Sequence, residues 1–393
     1  MKIRLHVRAI GIAAPGLDDA TALHALQAGA AMPQEPDWQP APRSLPRRQA
    51  LRLSETIRLA IMATEQVGDA VPRDGGWVFA SSTGEGDTLH DILMALRDDE
   101  IMIQPLKFQN AVHNAAQGQW SILAGATGPM TSIAAYDETA GAGLLKAAMH
   151  CAVEGTPVGL VVFDSPLPAP LHEKRPFTGP AALSIALHPE AGPADLATLE
   201  IETVDLPAVT TEANGNPAFA MLPLLRRVLA PSAEPVVLGL PGGTGLAIRV
   251  TGPDPYAIAF ERMPHEGAMR LVDRIIDADE DTLRCIARPH AAPDYPLRVG
   301  GVLHASALVE IGAQAAALHA SLHAVGAAHA GLVLSLGEVE LIEDDVRNDV
   351  PIEAEATRLA GEYNSARYRF WVTQGDTLLV HGNLLLSLQR TEP

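Results

Sequence analysis

The sequence predicts an α/β fold followed by an α+β fold within one chain. Three observations carry this reading. Up to about residue 190, short apolar runs alternate with segments whose apolar positions recur every three or four residues, as strands and helices do in turn. Two later stretches, "LPAVTTEANGNPAF" and "LAPSAEPVV", are dense in Pro, Asn and Ser, as expected of linker or loop. From about residue 258, one long apolar helix precedes four strand-like runs, the pattern of an antiparallel sheet wrapped around a central helix. A chain of 393 residues has room for two domains, placed here at 1–250 and 256–393.

The elements follow in order. "IRLHVRAIGIAAP" within residues 1–14 reads as an opening strand, and residues 15–50, rich in Ala, Pro and Arg, as short helix plus loop. "LSETIRLAIMATEQVGDAV" is amphipathic, with Ser54 placed to cap the helix N-terminus. "GWVFASSTGEG" is a strand running into a small-residue turn, and a helix follows over 87–98. "TGPMTSIAAYDETAGAGLLKAAMHCAVEG" reads as strand, tight bend and long helix, and "VGLVVFDSP" as another buried strand. "LPGGTGLAIRV" is a glycine-rich turn between strand-like segments, without the lysine and spacing of a phosphate loop. In the second unit "HEGAMRLVDRIIDADEDTLRCIARPH" reads as strand, turn, strand. The helix "VLHASALVEIGAQAAALHASL" and the strands "GLVLSLGEVELI", "VPIEAEATRLAG", "SARYRFWVTQ" and "TLLVHGNLLLSLQ" complete it.

Composition narrows the partners. Lys and Arg total 28 against 47 Asp and Glu, a net charge of −19. Such a field argues against wholesale binding to nucleic acid or an anionic membrane, while leaving room for a local basic patch that docks an acidic partner. The two cysteines, Cys151 and Cys285, are too few and too far apart to imply a disulfide framework. The N-terminus lacks a signal-peptide pattern and no run approaches a membrane span, so a cytoplasmic protein is expected.

One residue raises the chemical question. Glu310 interrupts an otherwise apolar helix, and a buried carboxylate is costly unless it is paired or has a task. Gln314, four residues on, shares its helix face. "MPHEGAMRLVDRI" and "LVEIGAQAAALHASL" resemble the opening segment and central helix of hotdog-fold 3-hydroxyacyl-acyl-carrier-protein dehydratases. "RPHAAPDYPLR" resembles the histidine loop of the divergent dehydratases of aryl-polyene pathways. The resemblance covers roughly residues 258–390 and implies His290 and Glu310 as the catalytic pair, with the histidine and the acid facing each other across a subunit interface. His265, in the opening segment, is a second candidate for the base.

The chemistry suits these residue types. Elimination of water requires a base for a weakly acidic α-proton and an acid for a poor leaving group, and imidazole and carboxylic acid fill those roles near neutral pH. The resemblance further implies an acyl group carried on the phosphopantetheine arm of acyl carrier protein, no bound cofactor or metal, and pairing of two hotdog units as a homodimer or heterodimer. A hotdog thioesterase and a non-catalytic acyl-carrier scaffold are the competing readings. His304 lies six residues before Glu310, about 120° around a helix, and is expected to face elsewhere. His319 and His323 are spaced as helical metal ligands, but no third ligand is evident and helix-end packing is the simpler expectation.

The first unit resembles the N-terminal half of β-ketoacyl synthases, specifically chain-length-factor-type proteins. "FQNAVHNAAQGQWSILAGATGPMTSIAA" carries the likeness, over about residues 1–190. The resemblance implies a thiolase-like half-domain. Condensation needs a thiolate at the bend between strand and helix. The corresponding "AAYDETAGAGLLKA" has no cysteine; Glu138 or a neighbour stands there, and Cys151 lies further along the helix where packing is expected. His113 is read as a packing or interface residue. A non-condensing domain that associates with a complete ketosynthase is the expectation.

Overall fold

The opening run forms β1 (Lys2–Ala13), whose side chains alternate between two helical layers. The computed structural model describes residues 2–25, 35, 37–97, 103–176, 179–206, 215–265, 267–291, 295–323, 328–344, 346–362 and 365–390. The chain divides into two compact units, Met1–Asp254 and Pro255–Pro393.

In the first unit, β1 is followed by α1 (Ala20–Ala25), α2 (Arg47–Ala50), α3 (Glu55–Gly68), β2 (Gly76–Ala80), α4 (Gly86–Ala95), α5 (Pro105–Asn110) and α6 (Ala115–Ala124). Next come β3 (Met130–Ile133), α7 (Thr139–Glu154), β4 (Val158–Asp164), α8 (Leu171–Lys174), β5 (Ala181–His188) and β6 (Ala197–Asp205). The unit closes with α9 (Leu222–Leu229), β7 (Ser232–Leu240) and β8 (Thr244–Thr251). The eight strands form one sheet in the order β3-β2-β4-β5-β1-β6-β8-β7. β2 is parallel to β3 and β4, and the remaining pairs are antiparallel.

The period of two places β2 between two cores. Val78 and Ala80 join the one built with α7 and α9, while Trp77 and Phe79 join the one built with α3 and α6. Ser54 caps α3 as expected, accepting from the Ile57 N–H at 3.1 Å. α6 and α7 end on Gly125 and Gly155 at φ 61° and 64°, the left-handed conformation that terminates a helix. One expectation is corrected. "LAPSAEPVV" enters β7 instead of forming a loop, because β7 is an edge strand and its pairing is irregular between Ser232 and Val236, which accommodates Pro235. Most of the other expected linker, residues 207–214, lies outside the described residues.

The second unit contains α10 (Ala257–Glu261), β9 (Val272–Ala278), β10 (Thr282–Ala287), α11 (Val309–Leu322) and β11 (Ala328–Leu341). It ends with β12 (Glu353–Glu362), β13 (Ser365–Gln374) and β14 (Thr377–Arg390). Its six strands follow the order β11-β14-β13-β12-β10-β9 and pair antiparallel throughout. α11 is buried from Ile311 to Ser321, the hotdog arrangement that the sequence predicts. Contact is close enough that a Cβ on Gly312 would stand 2.3 Å from the Phe370 ring. Tyr368, Phe370 and Val372 alternate inward from β13 to line the same core. Among the described residues, no helix is long and apolar enough to cross a membrane.

Candidate active site

Glu310 lies in the first turn of α11. Its position at the helix start keeps the carboxylate near the positive end of the helix dipole. It also leaves the side chain 34% exposed in the single chain, because the apolar pattern identifies the helix but not how far along its axis the core begins.

His265 Nε2 stands 3.1 Å from Glu310 Oε1. The same oxygen accepts from Gln314 Nε2 at 3.0 Å, the i, i+4 contact that the spacing predicts. Gln314 is fully buried and otherwise tied to the segment leading into β9: its Oε1 accepts from Leu271 N–H and its Nε2 donates to the Met269 carbonyl, both at 2.8 Å. With its acceptor engaged by Leu271, the amide can only donate to Glu310. His265 Nδ1 is buried and has no partner among the described residues.

Within the single chain His290 is held by partners other than Glu310. His290 is 3% exposed, and its Nε2 lies 2.8 Å from the Arg347 carbonyl. Its own carbonyl accepts from Arg298 Nη1, and its ring packs edge-on against Tyr295. A side chain so enclosed anchors a loop. Part of that loop, residues 292–294, lies outside the described residues.

Three further histidines lie in or beside α11. His304 stands at the start of a short 3-10 turn without a capping bond from its side chain, and its Nδ1 lies 4.0 Å from Asp344. His319 and His323 both direct Nε2 to the Asp279 carbonyl, at 3.2 and 2.8 Å, and His319 Nδ1 meets the Tyr368 hydroxyl at 2.9 Å. Burial lowers the His319 pKa to about 4, holding the ring neutral. Among the described residues, no group of three His, Cys, Asp or Glu could hold a metal.

In the first unit, the bend between β3 and α7 carries Tyr136, Asp137 and Glu138, with Tyr136 at φ 53°. Arg175 fastens it, with Nη2 2.6 Å from Asp137 and its guanidinium 3.7 Å over the Tyr136 ring. Cys151 is fully buried in the last turn of α7, and burial pushes its thiol up to about 12. His113 Nε2 lies 2.9 Å from the Ser81 carbonyl, a packing contact.

Sequence reasoning missed Asp164. Its buried carboxyl gathers the turn after β2 by accepting from Ser82 and Thr83 N–H and from the Ser81 and Thr83 hydroxyls. Desolvation raises its pKa, against those bonds. The available signal was a single aspartate ending an apolar strand.

Residues 25–236 match the family model described as Beta-ketoacyl synthase, N-terminal domain, and residues 259–389 match that described as ApeP dehydratase. No curated protein matches the chain. Among solved structures, a ketosynthase (ApeO) in complex with its chain length factor (ApeC) from Xenorhabdus doucetiae aligns at 22% identity and a TM-score of 0.51, covering 63% of this chain and 99% of that one. The dehydratase heterocomplex ApeI:P from the same organism aligns at 16% identity and a TM-score of 0.31, covering 34% of this chain and 91% of that one.

Proposed function

Starting from a chain that belongs to the β-ketoacyl synthase N-terminal domain family and carries an ApeP-type dehydratase domain, we propose that His265 and Glu310 dehydrate a 3-hydroxyacyl thioester borne on acyl carrier protein. The observation that carries the proposal is the 3.1 Å contact between His265 Nε2 and Glu310 Oε1. One proton shared between these atoms satisfies the resting pair. Substrate enters with that proton on Glu310, and His265 Nε2 takes a proton from C2. The C3–O bond breaks, Glu310 protonates the departing hydroxide, and water and a trans-2-enoyl thioester result. Transfer of the new proton from His265 back to Glu310 restores the pair. Dipoles at the start of α11 favour the negative charge that develops on the thioester oxygen. The acyl chain arrives on the carrier's phosphopantetheine arm, and elimination of water needs no further cofactor.

The second unit works as a dimer of hotdog units, with another copy or a related chain. β11 is an edge strand of the sheet, and residues on both of its faces are exposed, among them Leu332, Leu334, Leu336 and Leu341. An apolar edge of this kind invites pairing. The partial exposure of His265 and Glu310 in the single chain fits a site finished by a second subunit.

The first unit does not condense; it associates with a complete ketosynthase, as a chain length factor does. The missing thiol at the bend supports this, as do the exposed Leu93, Met94 and Phe108 on α4 and α5 and the open edge of β3. Joining the domains would hold condensation and dehydration near one carrier protein in a fatty-acid or aryl-polyene-type pathway. Incubating the purified chain with 3-hydroxyacyl carrier protein and reading its intact mass tests the reaction. Loss of one water supports dehydration; release of free acid means thioester hydrolysis instead.

A further inference from the structure

We infer that Arg288 is a positioning residue for the His265–Glu310 pair, an inference that rests on the dehydratase reading of that site. Arg288 follows β10 directly and extends the β9–β10 ladder by one bond, its N–H donating to the Leu271 carbonyl at 2.7 Å. The side chain then folds back over the segment after His265. Nη1 donates to the carbonyls of Gly267 and Arg270, at 3.1 and 3.4 Å. These two carbonyls bracket the 3-10 turn Gly267–Met269, which begins at φ 57° on Gly267 and is closed by Arg270 N–H on the Gly267 carbonyl.

That turn presents the two backbone groups that grip Gln314, the Met269 carbonyl and the Leu271 N–H. Gln314 then directs its remaining N–H at Glu310. One guanidinium therefore acts on the turn that holds Gln314 and, through that buried amide, on the Glu310 carboxylate that meets His265. A charged donor shared between two carbonyls holds a turn more firmly than a neutral one. An exposed arginine could instead receive an anionic group of the carrier protein. The two roles separate kinetically, because positioning acts on the chemical step and carrier contact acts on binding.

The test uses the full-length protein with Arg288→Ala and Arg288→Lys. Positioning predicts that Arg288→Ala lowers kcat by about 100-fold, the scale of a small misplacement of reacting groups, with KM changed less than about twofold. Guanidinium ion added to Arg288→Ala restores part of the rate. Arg288→Ala adds little further loss in a Gln314→Met background, because both act through one network. A readout that needs no turnover accompanies these: the His265 ring signals and their pH titration, followed by NMR, shift in both Arg288 variants. If wild type does not dehydrate at all, the proposed reaction fails while the NMR result still decides the role of Arg288. Unchanged kcat with unchanged His265 signals overturns the inference, and so does a rise in KM alone. Should Arg288→Ala fail to fold, Arg288→Lys carries the same NMR test.

Discussion

His265 Nε2 and Glu310 Oε1 lie 3.1 Å apart within one chain, and Gln314 donates to the same carboxylate oxygen. The proposed acid thus has an imidazole nitrogen and an amide donor on one oxygen. Glu310→Gln preserves shape but removes the acid. The variant is expected to fold like wild type by circular dichroism and to lose dehydration by about a thousand-fold, as removal of a general acid does. Turnover like wild type from a folded Glu310→Gln protein would remove Glu310 from the mechanism.

Glu85 makes the first unit sensitive to pH. Burial pushes its carboxyl from an ordinary 4.5 up to about 7, against hydrogen bonds from Ser54 and Thr88. Between those values the folded state holds a proton that the unfolded chain has released. Stability from this group therefore falls as pH rises through the window and is level above it, by about 3 kcal/mol in all. Glu85→Gln should stabilise the protein in denaturant titrations at pH 8 and change it little at pH 5. An equal gain at both pH values would contradict the shift.

The proposed dimer places its interface at the edge strand β11. Leu334 is 58% exposed in the single chain, so a charge there costs the isolated fold little but opposes a subunit that covers it. Leu334→Asp is expected to sediment as a smaller species than wild type and to lose most of its activity. Identical sedimentation of the two proteins would show that this edge is not the interface.

The same logic applies to the first unit. Phe108 is 66% exposed on α5, and its replacement should alter folding stability by less than about 0.5 kcal/mol. Phe108→Asp in the full chain is expected to lose co-purification with the pathway's ketosynthase while retaining dehydration of a supplied substrate. Retention of the ketosynthase would place the contact elsewhere.

Much of this was legible because the signals are local. The strand and helix periods, the Ser54 cap and the Glu310–Gln314 face all depend on neighbours within a few residues. The partner of Glu310 does not. His265 lies 45 residues away in sequence, and the contact is made when the segment entering β9 crosses the first turn of α11; the resemblance of the "RPHAAPDYPLR" loop pointed to His290 instead. The strand character of "LAPSAEPVV" was hidden by Pro235, which an edge strand tolerates and an interior strand does not. The depth of Glu310 was obscured by an almost uniformly apolar helix, which carries no mark of where along its length the surface lies.

The central claim is that His265, and not His290, works with Glu310. The measurement is the time course of water loss from 3-hydroxyacyl carrier protein, read by intact mass, for wild type, His265→Ala and His290→Ala side by side. The account predicts that His265→Ala is slower by about a thousand-fold and that His290→Ala, though less stable for lack of its bond to the Arg347 carbonyl, turns over within about tenfold of wild type when folded. An inactive His290→Ala beside an active His265→Ala would contradict it.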